Sequence, residues 1–175
     1  NIPANTCFLS PREQEMARYL FGDVPGLQFF GGYGDAERKM TVYLPEYLDV
    51  ESLYDEVSPI VCLRAAFFEN DDLSHRDFLG ALMGVGVARE TVGDICVDRG
   101  SCDFFVTHEI APYLLQNFDS AGRTKFRLQE ISLHEARIPE PEVKIIKDTL
   151  ASVRLDAVIM PFFEKKIRKP YVIPE

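Results

Sequence analysis

Near the start of the chain, apolar residues recur at helical spacing directly after a helix-capping signal. The segment Ser10–Glu13 combines a capping box with a proline at the first helical position. Apolar side chains then fall on one helix face: Met16, Ala17, Leu20 and Phe21. Gly22 ends the predicted helix.

Between this helix and residue 58 the pattern is more broken. An apolar run at Leu27–Phe30 and a strand at Met40–Leu44 flank a glycine-rich turn, Gly31–Gly34. Residues 45–58 are acidic and rich in turn-forming residues. We therefore predict a small α/β domain over residues 1–58.

From Pro59 the pattern is more regular and predicts a second domain over residues 59–137. Its elements are a strand at Pro59–Phe68, a helix capped by Ser74–Asp77, a hairpin of Asp94–Asp98 with Cys102–Thr107, a helix at His108–Phe118 capped by Thr107, and a strand at Thr124–Ile131. The order β-α-β-β-α-β is the ferredoxin-like arrangement, in which two helices cover one face of a four-stranded sheet. The predicted fold class is α+β.

The remaining residues, 138–175, form a third segment. A linker with two prolines at 139–141 precedes a helical stretch from Val143 to about Ile159. Pro161 breaks that helix, and a basic cluster follows: Lys165, Lys166, Arg168 and Lys169.

Charge is distributed unevenly over these segments. The formal net charge of the chain is −9, and the three segments carry −6, −4 and +1 in chain order. Attraction to phosphate supplies the sequence-independent part of nucleic-acid affinity, so an acidic chain is a poor non-specific binder of polyanions. A nucleic-acid site in this chain must therefore depend on a local basic patch.

Several classes of protein lack their usual signals. No apolar run has the length of a transmembrane helix, and the first residues lack the features of a signal peptide, so we expect a cytoplasmic protein without membrane insertion. The cysteines and histidines have no metal-binding spacing, so no metal or other cofactor is expected. No small-molecule substrate is expected either.

Two motifs resemble enzyme signatures and fail in detail. The glycine turn lacks the third glycine of a dinucleotide fingerprint, and we interpret it as a close approach of the backbone to a neighbour. The triplet His75-Arg76-Asp77 lacks the other kinase motifs and opens a helix.

One enzymatic alternative stays open. Cys96 and His108 could meet if the hairpin packs on the second helix, although no orienting third group is evident. Rapid labelling of one thiol would be the simplest sign of such an enzyme. The simpler interpretation is that the cysteines are buried free thiols.

A basic stretch lies on the last predicted strand. With a strand's period of two, Lys125 and Arg127 face one side while Phe126 faces the other. The helices are expected to cover the Phe126 side, so the cations point to the open face of the sheet. Arg64 and Phe68, four residues apart on the first strand, share one side of that strand and could add to this surface. Open sheets with cations and aromatic side chains hold RNA phosphates and unstacked bases. A solvated edge strand whose charges discourage aggregation is the equal alternative.

Seven short segments stand out when they are taken in order along the chain. They are Phe8–Gln14, Gly31–Tyr33, Ala36–Lys39, His75–Leu82, Gly84–Glu90, Gly93–Ile95 and Val153–Val158. Each segment alone is a weak signal, whereas the ordered combination is specific and resembles the YlmH family of bacterial RNA-binding proteins.

The resemblance implies three modules: a small α/β N-terminal domain, a ferredoxin-like RNA-binding domain, and a C-terminal alpha-L RNA-binding motif of the ribosomal protein S-four type. It also implies binding to ribosomal RNA or tRNA on the large ribosomal subunit in ribosome-associated quality control, without catalysis. Arg154–Ile159 resembles the first helix of the alpha-L motif. Because Pro161 stands where a second basic helix should follow, we expect a truncated motif.

The RNA-binding residues expected on this basis are Arg38, Lys39, Arg76, Arg89, Arg123, Lys125, Arg127 and Arg154. Arginine suits this role because its planar guanidinium pairs with phosphate through two bonds and stacks on bases. The alternative function is a protein-interaction module linked to bacterial cell division, which would use the acidic first domain and hydrophobic strand edges.

Overall fold

The computed structural model describes residues 4–55, 58–68 and 71–138. The N-terminal part contains helix α1 (Pro11–Phe21) and an antiparallel pair of strands, β1 (Leu27–Phe30) and β2 (Met40–Tyr43). A short 3-10 helix follows at Val50–Tyr54. The predicted capping box of α1 is present, because the Glu13 N–H donates to Ser10 Oγ and the Ser10 N–H donates to Glu13 Oε1.

The second part is built on a four-stranded antiparallel sheet, so the chain is α+β. Along the chain its elements are strand β3 (Ile60–Ala66), helix α2 (His75–Gly84), strands β4 (Val92–Asp98) and β5 (Ser101–Thr107), helix α3 (Ala111–Asn117), a hairpin of β6 (Ser120–Ala121) with β7 (Thr124–Lys125), and strand β8 (Arg127–Ile131). The strands of the large sheet lie in the order β4-β5-β3-β8.

Both faces of this sheet are buried. One face packs against the two helices through an apolar cluster, the helix-side cluster, which includes Leu63, Phe78, Phe104 and Leu114. The other face packs against the N-terminal part through a second apolar cluster, the N-terminal cluster, which includes Phe8, Phe30, Met40, Val42, Cys62 and Phe105. The N-terminal part therefore covers the sheet face that was expected to be open, and that expectation is wrong.

Two predicted elements differ from the structure by more than a shift of one or two residues at their ends. Helix α3 begins at Ala111, not His108, and its N-cap is Ile110 without a side-chain cap bond, so Thr107 does not cap it. The last strand is interrupted at Phe126, whose N–H donates to Asp119 O at 2.9 Å. The Phe126 ring is buried 4.9 Å from the ring of Phe118, centroid to centroid. Packing of this one aromatic ring therefore divides the predicted strand into β7 and β8.

The described residues, 4–55, 58–68 and 71–138, belong to one compact unit. Residues on both sides of residue 58 share the N-terminal cluster. The domain boundary at residue 58 stays a prediction. The predicted linker at 139–141, the helix at 143–159 and the alpha-L motif with Arg154 lie outside the described residues. Among the helices of residues 4–55, 58–68 and 71–138, none has the length and apolar content that crossing a membrane requires.

Candidate nucleic-acid interface

A groove of about 450 Å³ lies where β3 ends beside β7 and β8. We call it the rim groove, and the described residues that line it are Ala66, Phe67, Phe68, Lys125, Phe126 and Arg127. Phe68 is 81% exposed, and both cations are exposed as well. The structure thus brings the predicted Lys125 and Arg127 together with an aromatic side chain.

Alternating side chains fix the two walls of the rim groove. On one wall Phe67 packs against the helix-side cluster and its N–H donates to Gly100 O at 2.9 Å, which leaves Phe68 pointing outward. On the other wall Phe126 is buried between the two cations. Arg127 lies directly opposite Ala66 in the β3–β8 pairing. The exposed groups are therefore anchored by buried neighbours on each wall.

A second groove, of about 530 Å³, lies between α2 and the β6–β7 hairpin and is lined by Arg76 and Arg123 among others. Its lining also includes Asp72 and Asp77, so its charge is mixed. Asp77 caps α2, and its hydrogen bonds with Ser74 lower the pKa of the Asp77 carboxyl. The two grooves meet at β7, where Thr124 lines one and Lys125 the other.

Two further predicted residues, Arg38 and Arg89, lie near Asp94 on β4. The Asp94 carboxylate accepts hydrogen bonds from Tyr33 Oη at 2.6 Å, Glu37 N at 2.7 Å and Arg38 N at 2.9 Å. Burial lowers the pKa of Arg89, and the nearby charge of Arg38 lowers it further. The Arg38 Nε is buried, and no described residue accepts its proton.

The predicted cations therefore fall into two groups at opposite edges of the large sheet. Arg76, Arg123, Lys125 and Arg127 lie near β8, whereas Arg38 and Arg89 lie near β4. Lys39 belongs to the β4 side, with its backbone paired to Leu9. With neighbouring strands about 4.8 Å apart, the edges are separated by roughly 14 Å.

Arg64 does not join the exposed cations, contrary to the sequence analysis. Its guanidinium donates to both carboxylate oxygens of Asp103, at 2.8 and 2.9 Å, and also to Glu135 O at 3.0 Å. The Asp103 side chain is only 1% exposed. A buried carboxylate needs such a partner, so the charge of Arg64 is used within the fold.

A further cation, which the sequence did not predict as a site residue, lies beside the rim groove. Arg137 donates its N–H to Asp103 Oδ2 at 2.7 Å, and its Nη1 donates to Ser101 Oγ at 3.4 Å. Ser101 lies opposite Ala66, which in turn lies opposite Arg127. Nothing in the local sequence pattern marked Arg137, which follows the last strand in a stretch without periodicity.

The proposed Cys96 and His108 pair does not form. Cys96 lies opposite Asp103, five residues before His108 on the neighbouring strand, or roughly 17 Å along it. Cys96 is buried, and burial raises its pKa to about 11. A thiol of that kind is a poor nucleophile at neutral pH.

The fold and the rim groove together are typical of a nucleic-acid-binding protein. A positively charged groove beside an exposed aromatic side chain, on an α+β framework, is the kind of surface that binds single-stranded nucleic acids. Comparison with known proteins identifies the family within this class.

Residues 67–135 match the family described as "Putative RNA-binding domain in YlmH". "Ribosome-associated protein quality control protein P2" of Bacillus subtilis (strain 168) is 38% identical over 154 residues, which cover 87% of this chain and 59% of that protein. The solved structure of "Cell division protein ylmH from Streptococcus pneumoniae" has a TM-score of 0.59 at 22% identity, and the match covers 79% of this chain and 83% of that one. The chain belongs to the YlmH family, and it spans 59% of the length of the curated relative.

Proposed function

We propose that this chain is a non-enzymatic RNA-binding protein that acts on the ribosome. The observation that carries the proposal is the rim groove, where Lys125, Arg127 and Phe68 meet on an otherwise acidic chain. Phosphate contacts would come from these cations and from Arg76 and Arg123 beside them. Arg38 and Arg89, at the opposite edge, would contact a second stretch of the RNA.

The name of the Bacillus subtilis relative, a ribosome-associated quality control protein, supports the ribosome as the partner. In finer terms, we propose ribosomal RNA or tRNA on the large subunit as the ligand, and the cytoplasm as the location. The relative is considerably longer than this chain, so these statements are proposals for the part of that protein to which this chain corresponds.

We also propose that residues 59–137 form a ferredoxin-like RNA-binding domain. The strand order β8-β3-β5-β4, with every neighbouring pair antiparallel, supports it. So does the packing of α2 and α3 on the same face of the sheet. The hairpin β6–β7 is an addition before the last strand.

Co-sedimentation with ribosomal subunits at low and raised salt tests the proposed function. We expect the chain to pellet with large subunits at low salt, and Lys125→Ala and Arg127→Ala each to weaken binding and lower the salt slope by about one unit. Arg12→Ala, at an exposed cation on α1, is the matched control and should bind as the wild type does.

If both groove variants bind with wild-type affinity and salt slope, the groove is not the RNA site. If the chain fails to pellet with subunits at low salt, the ribosome proposal is wrong.

A second candidate function, a protein-interaction module, is favoured by the apolar face of α1. Met16, Tyr19 and Leu20 are 59%, 86% and 58% exposed. Exposed apolar patches of this kind mark protein contacts. Co-purification of one cell-division protein that survives RNase treatment and is lost in Leu20→Glu would favour this function over RNA binding.

A further inference from the structure

We propose that the rim groove holds one unpaired nucleotide of RNA, with the base stacked on Phe68 and the flanking phosphates bound by Lys125 and Arg127. This inference rests on the proposed RNA-binding function. It adds the class of ligand, which is single-stranded RNA and not duplex RNA.

Phe68 is held in a position suited to stacking. Its side chain is 81% exposed, which leaves the ring accessible. Its neighbour Phe67 is anchored in the helix-side cluster and hydrogen-bonded to Gly100, so the backbone beneath the ring is fixed. An aromatic side chain with an accessible face and an anchored backbone loses little entropy when a base stacks on it.

The two cations line the same groove as Phe68, where they are available to the phosphates on either side of that base. Burial of Phe126 turns Lys125 and Arg127 outward together, one on each side of it. The small side chain of Ala66, opposite Arg127, leaves the floor of the groove open. The groove has a volume of about 450 Å³ and opens to solvent, so an exposed base has access to Phe68.

Duplex RNA does not offer the required group. In an A-form helix the bases stay stacked on one another, and proteins contact the backbone and the minor groove instead. A base must be unpaired and turned out of the helix before it can reach Phe68. The geometry therefore favours loops, bulges and single strands.

Fluorescence anisotropy with the full chain and two probes tests this inference. The probes are a short oligouridylate and a blunt RNA duplex with the same number of phosphates, each titrated at low and raised salt. We expect Phe68→Ala to weaken binding of the oligouridylate roughly 5- to 150-fold with an unchanged salt slope, and binding of the duplex hardly at all. Phe68→Tyr should restore affinity because the ring is retained.

Tyr19→Ala is the matched control, since Tyr19 is an aromatic residue of similar exposure on α1. A fluorescent adenine analogue in the oligonucleotide should be quenched by wild-type protein and by Phe68→Tyr, and not by Phe68→Ala, which reports stacking directly.

The possible results separate this inference from the proposed function. If Lys125→Ala and Arg127→Ala weaken binding while Phe68→Ala does not, the protein binds RNA at the groove without stacking, and the inference is wrong. Preference for the duplex over the oligouridylate would overturn it equally. If neither probe nor ribosomal subunits bind, both the inference and the proposed function fail.

Discussion

Arg64 and Arg127 differ in role because of their neighbours. Both point to the same face of the sheet, since Arg64 lies opposite Gln129 and Arg127 lies opposite Ala66. Arg64 is paired with the buried Asp103, whereas Arg127 is exposed in the rim groove. One cation stabilises the fold and the other is available to a ligand.

Replacement of Arg64 with alanine is expected to lower the free energy of unfolding by about 3 kcal/mol, because Asp103 would keep a buried charge without its guanidinium partner. The Arg137 N–H still donates to Asp103 and limits the loss. Urea unfolding followed by circular dichroism measures the change.

Arg127→Ala is the control for this measurement and should change stability by less than about 0.5 kcal/mol. RNA binding then distinguishes the two residues. If folded Arg64→Ala lowers the salt slope as much as Arg127→Ala does, the assignment of Arg64 to the fold is wrong.

At the scale of elements, the glycine turn shows what joins the N-terminal part to the sheet. Gly32 has a φ of +98°, and a Cβ there would lie 2.5 Å from the Phe105 ring. The ring of Tyr33 packs 5.4 Å from that of Phe105. The interpretation of this turn as a close backbone approach is confirmed, and the neighbour is an aromatic ring of the sheet.

Gly32→Ala is expected to cost about 2 kcal/mol or more of unfolding free energy, from the unfavourable φ and from overlap with Phe105. Gly34→Ala in the same turn is the matched control, because a Cβ there has no atom within 4 Å. Thermal unfolding of both variants tests the claim, and equal midpoints would contradict it.

The cap of α1 predicts a response to acid. Hydrogen bonds with Ser10 lower the pKa of Glu13 below its usual 4.5. A carboxyl whose pKa is lower in the folded state stabilises the fold above its unfolded pKa, and this contribution is lost as pH falls through the folded pKa. Glu13→Gln keeps an acceptor but cannot titrate, so its stability should fall less than that of the wild type below about pH 4.5.

Urea midpoints over a pH series measure this difference. Glu15→Gln, on the same helix, is the control and should follow the wild type. A Glu13→Gln variant that loses stability in parallel with the wild type would remove the cap from the explanation.

How far these elements could be predicted depends on how local their signals are. The capping boxes at Ser10 and Ser74 are complete within four residues, and α1 and α2 begin where the sequence predicted. Helix α3 has no such signal, since its N-cap Ile110 makes no side-chain bond. The break at Phe126 depends on a cluster of phenylalanines distant in sequence, which no local pattern contains.

At the scale of the whole molecule, the covered sheet face limited what could be predicted of the site. Ile60–Leu63 is continuously apolar, and such runs are typical of strands buried on both faces. That signal was present and pointed against an open face. The pairing of Arg64 with Asp103 could not be foreseen, because it depends on the register between β3 and β5.

The two buried layers predict a pattern of thiol reactivity. Cys7 is exposed, whereas Cys62, Cys96 and Cys102 are buried. We expect Ellman's reagent to label Cys7 in the folded protein and the other three only on opening. The fast phase should disappear in Cys7→Ser, so rapid labelling alone would not indicate an enzyme.

Two core variants, one in each apolar cluster, show by their thiol labelling whether the two clusters open independently. Met40→Ala, in the N-terminal cluster, should speed labelling of Cys62 and Cys96 more than that of Cys102, because Cys102 belongs to the helix-side cluster. Phe78→Ala should do the reverse. Uniform acceleration of all three thiols by both variants would mean that the two layers open together.

The position of β3 limits how this domain can be exchanged between genes. The match to the RNA-binding domain of the family begins at residue 67, directly after the strand that pairs with both β5 and β8. A segment transferred at that boundary would leave β8 without its neighbour and divide the sheet. Any successful exchange between genes must carry these seven preceding residues too, so the unit that folds is longer than the stretch that matches the RNA-binding domain.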